Sequence, residues 1–152
     1  MKRHEALNPL SHHHHHALVM ALEMKRAGTE QSSKTYKQLV RDMIDFWIKD
    51  GRDHFRDEEE VLVPLYLQFA SEPKENLIKD MLYQHAQIRG LIEELREKGE
   101  TDYEKMRSLG ELLDEHVRLE ERTLFPLMEE AIPENYLYQA NGRFHRDSYS
   151  GF

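Results

Sequence analysis

Apolar residues recur along this chain at intervals of three and four, with charged residues filling the positions between them. That spacing lines up one face of a helix, and no stretch alternates with the period of two that marks a half-buried strand. Four helical stretches are predicted. The first runs roughly from Ser11 to Arg26, with Leu18, Ala21 and Leu22 on its inner face and Gly28 just past its end as a stop. The second runs from about Ser33 to Phe69, with Leu39, Met43, Trp47, Val61 and Leu65 as core positions. The third starts near Ser71, with Pro73 in its first turn, and carries Ile78, Met81, Leu82, Ile88 and Ile92. The fourth starts at Thr101 or Asp102 and carries Met106, Leu109, Leu112, Leu113 and Leu127.

Short polar connections such as GTEQSS and KGET make neighbouring helices antiparallel, which predicts an all-α, up-down-up-down four-helix bundle over residues 1–132. Gly51 and Gly110 interrupt the second and fourth helices, and Pro64 and Pro126 kink them or start a last separate turn. From Pro133 onward the chain turns aromatic and polar without a helical period. Residues 133–152 are expected as an irregular tail, packed on the bundle or mobile.

Within the second and fourth helices one phrase is written twice. HFRDEEEVLVP from His54 to Pro64 returns as HVRLEERTLFP from His116 to Pro126. Both copies hold a His with a Glu four residues on, His54 to Glu58 and His116 to Glu120. Each also has an Arg two after the His, a second acid one after the Glu, and a Pro ten after the His. Residues i and i+4 stand one turn apart on the same face, so each copy presents an imidazole beside a carboxylate.

The apolar offsets around His54, His116 and His85 turn all three inward. A buried carboxylate without a partner costs several kcal/mol or takes up a proton, so two inward Glu beside inward His call for a cation. Imidazole with carboxylate suits Fe, Mn or Zn, whereas Ca or Mg prefers oxygen alone. A single His-x-x-x-Glu is common by chance on a solvated helix; two with matching flanks and a third inward His are not.

Charge and composition narrow the function. The formal net charge is −8 and no Lys/Arg run suits a nucleic acid, so no nucleic-acid partner is expected. The absence of cysteine excludes thiolate sites, Fe–S clusters and disulfides. No apolar run approaches a membrane span and the first residues lack a secretory apolar core, so a cytoplasmic protein without membrane contact is expected.

His12 to His16 form an unbroken run of five, joined without a linker to the amphipathic ALVMALEMKRAG. Its position inside the first helix favours a native run over an affinity tag. On a helix, His14 shares its face with Leu18, Ala21 and Leu22 and is the first inward candidate. His15, with Val19 and Leu22, is the second.

The order of these residues, together with the local wording NPLSHHHHHALVMAL, HFRDEEEVLVP, QHAQIRGLIEEL and HVRLEERTLFPLME, resembles the hemerythrin-like, or HHE cation-binding, domain over roughly residues 4–130. The resemblance implies a non-haem di-iron centre, oxo- or hydroxo-bridged, inside the bundle. His14 and His54 would hold one ion, His85 and His116 the other, and Glu58 and Glu120 would bridge them; Zn or Mn is the alternative occupant. It further implies a protein that binds or senses dioxygen, peroxide, nitric oxide or iron itself, with a protein partner or a second copy to receive any signal. The alternative is a di-iron oxidase, peroxidase or ferroxidase on the same site.

One departure stands out. Oxygen carriers of the family have a fifth histidine four residues from the one on the third helix, where this chain has Met81 and Arg89. Glu59, Glu121, a water or another histidine of the run would complete the shell instead. Arg89 is expected to turn toward the site and Trp47 to wall it, with Tyr83 and Tyr103 as candidate hydrogen-bond partners. His145, in the tail, is a weaker candidate ligand.

Overall fold

The computed structural model describes residues 2–146, and over them the protein is all-helical. Helix α1 (Asn8–Lys25) follows a short 3-10 turn at Glu5–Leu7. Helix α2 covers 36–69 and helix α3 is Glu75–Glu97. Helix α4 covers 103–131 and helix α5 is Glu134–Asn141. Helix α1 lies along α4, and α4 also packs on α3; α2 meets α1 and α3.

Local chemistry sets the ends. Thr35 and Gln38 form a reciprocal capping box at the start of α2, and the Asp102 carboxylate accepts from Lys105 N at the start of α4. Gly28 takes a φ of 76°, in the left-handed region that lets the chain leave α1. Helix α1 begins three residues before the expected Ser11, because Pro9 in the first turn is pre-set for a helix. Helix α3 begins later than expected, at Glu75. Pro73 disfavours helical backbone at Glu72 and stays outside the helix.

Neither α2 nor α4 is a uniform α-helix. Wider π-turns occupy Trp47–Gly51 and Glu58–Leu62 in α2, and Glu120–Leu124 in α4. Two of them begin at the glutamates of the duplicated phrase. Val63 N–H and Phe125 N–H reach back five residues to the Glu58 and Glu120 carbonyls. Pro64 and Pro126 come next in each copy. Lacking an N–H, a proline forfeits the ordinary i→i−4 bond, so the ladder is already open where the wide turn sits.

The extra residue shifts the register downstream. Leu65 and Leu127, expected in the core, are only partly buried, while Tyr66 and Met128, one position later, are buried. Two further expected core residues, Leu22 and Leu82, lie exposed, because the inner stripe of each helix is narrower than the run of apolar residues.

The buried apolar side chains form two clusters. One gathers Met20, Met24, Met43, Trp47, Phe55, Ile88, Leu109 and Val117. The other gathers Leu7, Leu10, Leu62, Met81, Leu124, Phe125 and Met128. Phe144 and two residues of α5, Leu137 and Ala140, belong to the second cluster. That corrects the expectation of an irregular tail over part of its length: residues 134–141 are helical, with Pro133 at the cap and buried positions at 137 and 140, while 147–152 lie outside the described residues. The helix is short enough for aromatic and polar neighbours to obscure its period. Tyr138 Oη donates to Glu5 (2.6 Å) and Asn141 Nδ2 to the Ala6 carbonyl (2.9 Å), tying α5 to the start of the chain.

Gly110 permits the close approach of α1 and α4. A Cβ there would stand 2.8 Å from the Ala21 carbonyl oxygen and 2.9 Å from Lys25 N, both backbone atoms that cannot swing aside. Replacing Gly110 with Ala is expected to destabilise the fold by about 1–3 kcal/mol through overpacking, read as a lower urea midpoint. A midpoint equal to or above that of the parent would show that the helices separate at no cost.

Candidate metal centre

Between the two apolar clusters lies a polar layer. Glu58 and Glu120 are fully buried there, and His14, His54, His85 and His116 are nearly so. All six residues singled out from the sequence converge, one from α1, two from α2, one from α3 and two from α4. Each His-x-x-x-Glu pair closes on itself, with Nε2 to Oε2 at 3.0 Å in both copies.

The cross-helix distances give the layer its shape. His14 Nε2 lies 2.7 Å from Glu120 Oε1 and 3.9 Å from Glu58 Oε2. His85 Nε2 lies 3.0 Å from Glu58 Oε1 and 3.5 Å from Glu120 Oε2. Each carboxylate thus turns one oxygen toward the His14–His54 pair and the other toward the His85–His116 pair. The result is two groups of four donors, each with two imidazoles and both glutamates, compact enough to hold a metal ion apiece.

Orientation separates this arrangement from a set of ion pairs. Nε2 of His54, His85 and His116, both oxygens of Glu58, and Glu120 Oε2 are buried without a hydrogen-bond partner among the described residues, despite contacts of 3.0 Å. Close contact without hydrogen-bonding geometry leaves these atoms unsatisfied by one another. Buried polar atoms are otherwise almost always paired, so this concentration fits cations as the missing partners.

The outer ring nitrogens are all engaged. His14 Nδ1 is 2.6 Å from Glu121 Oε2, His85 Nδ1 is 2.6 Å from Glu59 Oε2, and His116 Nδ1 is 2.8 Å from Gln84 Oε1. His54 Nδ1 meets another imidazole, His13 Nδ1, at 3.0 Å. Such outer partners fix which nitrogen faces inward and raise its basicity. Glu59 and Glu121, expected as additional ligands, instead hold the rings from behind. This accounts for the second acid in both copies of the phrase: each reaches from its own helix to steady an inward histidine of another. Phe55 stacks on His85 (3.8 Å between centroids) and Phe125 on His14 (5.3 Å), limiting ring rotation further.

Other expectations fare less well. His15 is exposed, and the second inward histidine of the run is His13, which shares a face with Ala17, Met20 and Met24. That apolar face was the available signal. Arg89 does not turn into the site; it pairs with Glu59 at 3.0 Å and lies over Phe55. Met81 is buried in the second apolar cluster. Tyr83 and Tyr103 are exposed, outside the polar layer. Trp47 does wall a cavity of about 30 Å³ beside His13, His14, His54 and His116, lined otherwise by apolar side chains such as Met43, Ile88 and Leu113. Gln84 carried no sequence signal beyond its place next to His85.

The sequence profile of the hemerythrin HHE cation binding domain matches residues 7–128. The chain belongs to that family. No curated protein sequence and no solved structure matches it. The hemerythrin match takes in the whole polar layer and stops short of α5 and His145. No helix among the described residues is long and apolar enough to cross a membrane.

Without metal, protons carry the compensating charge of this hemerythrin-type layer. Burial opposes protonation of His14, but hydrogen bonds with Glu120 and Glu121 outweigh it and raise its pKa to about 10. His85 is raised to about 11 against the same burial, through Glu120, Glu58 and Glu59. Burial works against ionised Glu120 too, yet His116 and its other imidazole neighbours hold it well below the usual carboxylate range.

The raised imidazoles stabilise the metal-free fold fully below their ordinary 6.5, and that support is lost as pH rises toward about 10. The lowered carboxylate stabilises above its ordinary 4.5 and loses that support as pH falls. Metal-free protein is therefore best supported between those two values. Metal needs neutral imidazole, so binding releases protons and strengthens with pH. The Tm gap between metal-loaded and chelator-treated protein is expected to widen from about pH 6 to about pH 8; a gap that narrows would contradict this exchange of protons for metal. Glu59→Gln or Glu121→Gln is expected to weaken metal binding by about 10–100-fold while leaving the helical circular dichroism unchanged. Unaltered affinity in both variants would remove these acids from the site.

Proposed function

We propose that this protein is a di-iron binding protein of hemerythrin type, in which α1 to α4 form an up-down-up-down antiparallel four-helix bundle around the metal pair. In this reading His14 and His54 hold one ion, His85 and His116 hold the other, and Glu58 and Glu120 bridge them. The observation that carries it is the pair of four-donor groups sharing both glutamates, in which every donor atom except the hydrogen-bonded His14 Nε2 and Glu120 Oε1 is buried without a hydrogen-bond partner among the described residues. Iron, with zinc or manganese as alternatives, suits that mixture of imidazole and carboxylate. Residues 1–132 are taken as the metal-holding unit, with helix α5 packed against it.

Bound there, two ions would supply Lewis acidity and redox capacity to a small molecule such as dioxygen, peroxide or nitric oxide. The chain's own contribution is selection and enclosure. The cavity beside His54 and His116 has room for a molecule of a few atoms, and its apolar lining favours an uncharged one. Phe55 and Phe125 keep the histidine rings in place, while Glu59, Glu121, Gln84 and His13 keep their inner nitrogens free of protons once metal arrives.

Binding or sensing is favoured over turnover by the cavity wall. Among the described residues no carboxylic acid or hydroxyl lines it, and an oxidase or peroxidase on the same site would have to draw its protons through His13, the one wall histidine outside the metal set.

Elemental analysis of protein made with iron supplied is expected to find about two irons per chain, with oxo-bridge charge-transfer absorption. Both would be lost in Glu58→Ala/Glu120→Ala. Metal-free wild type, or equal metal in the double variant, would overturn the assignment.

A further inference from the structure

A second group of metal-binding side chains lies beyond the polar layer, and the proposed function leaves it unused. It joins His13 of α1, Asp50 in the first π-turn of α2, and His145, which follows α5. His13 and Asp50 are both buried, and His145 is partly covered. Their donor atoms, His13 Nε2, Asp50 Oδ1 and His145 Nε2, face one another. His145 Nε2 is 2.8 Å and His13 Nε2 is 3.9 Å from Asp50 Oδ1.

We propose that His13, Asp50 and His145 form a separate site for one divalent transition-metal ion. The decisive observation is His13 Nε2: it is buried, lies toward Asp50 and has no hydrogen-bond partner among the described residues. At 3.9 Å from Asp50 it is too far for a hydrogen bond, but both donors can reach an ion placed between them. Two imidazoles and a carboxylate suit Zn(II), Co(II) or Fe(II) and not calcium or magnesium. The other two acids nearby orient His145. Asp57 Oδ2 accepts from its backbone N–H (2.5 Å), and Asp53 Oδ2 lies 3.6 Å from its Nδ1, so Nε2 is the nitrogen left facing Asp50.

Such an ion would clasp the segment after α5 onto α1 and α2. It also communicates with the inner layer, a consequence that rests on the proposed di-iron reading, whereas the site itself does not. His13 Nδ1 and His54 Nδ1 are 3.0 Å apart, a hydrogen bond that takes one proton between the two nitrogens. When His54 offers Nε2 to an inner ion, its own Nδ1 carries that proton. When His13 offers Nε2 to the outer ion, the proton belongs on His13. Filling one site thus disfavours filling the other.

Native mass spectrometry of the metal-stripped full chain, titrated with Co(II), tests the site. His145→Ala is the variant of choice because it lies outside every helix, and circular dichroism verifies its fold. It is made both in the wild-type sequence and in Glu58→Gln/Glu120→Gln, where the inner centre is disabled. We expect His145→Ala to bind one Co(II) fewer than its parent in at least the inner-disabled background, with loss of the corresponding visible Co(II) absorption. His15→Ala, from the exposed part of the histidine run, is expected to change neither. Equal uptake with and without His145 in both backgrounds would overturn the proposal. So would an equal loss in His15→Ala, which would mark the binding as adventitious. Failure of the inner centre reads out separately, as no difference between the two parents.

Discussion

Two carboxylates, Glu58 and Glu120, sit at full burial between two apolar clusters, and positive charge has to meet them there. Leaving such a group ionised and unpaired inside a protein costs several kcal/mol. Most of the arrangement around them answers that one demand. Four imidazoles face inward, four outer partners hold those imidazoles, and two aromatic rings lie against them. The compensating charge can come from protons or from metal ions, and the same donors serve both. Metal-free and metal-loaded forms are accordingly two ways of neutralising one layer.

The layer is also what divides the core. Apolar contacts above it and below it are built from different residues, and only the polar residues run between. A hemerythrin-type bundle with its metal layer disabled would keep two apolar cores separated by buried, uncompensated polar groups. Stability and metal occupancy are therefore tied together through packing as well as through binding.

The six central residues were legible in the sequence because helical spacing carries them: His54 with Glu58 and His116 with Glu120 at i+4, and His85 and His14 beside apolar neighbours at 3 and 4. Their outer partners were harder to read. Glu59 and Glu121 repeat in both copies and so invited a role, but neighbours in sequence say nothing about which side of an imidazole a carboxylate will approach. His13 was missed because Val19 and Leu22 made His15 look like the second inward histidine of the run; Leu22 proved to be exposed, and the face of Ala17 and Met20 is the buried one. Helix α5 was missed because two turns are too few for a period to stand out. The misplaced core positions Leu65 and Leu127 share a single cause, the wide turn upstream of each, which no pattern with a fixed period can anticipate.

Those wide turns bear on how the chain can change in length. Each is, in effect, a one-residue insertion housed within a helix. Deleting a residue from Glu58–Leu62 or Glu120–Leu124 would let an ordinary α-turn replace the wide one, with Val63 or Phe125 meeting the same glutamate carbonyl at four residues instead of five. Tyr66 and Met128, one position earlier in the count, would keep facing the second apolar cluster. A residue can thus be gained or lost at these two places while the far half of each helix holds its register, which a uniform helix does not allow.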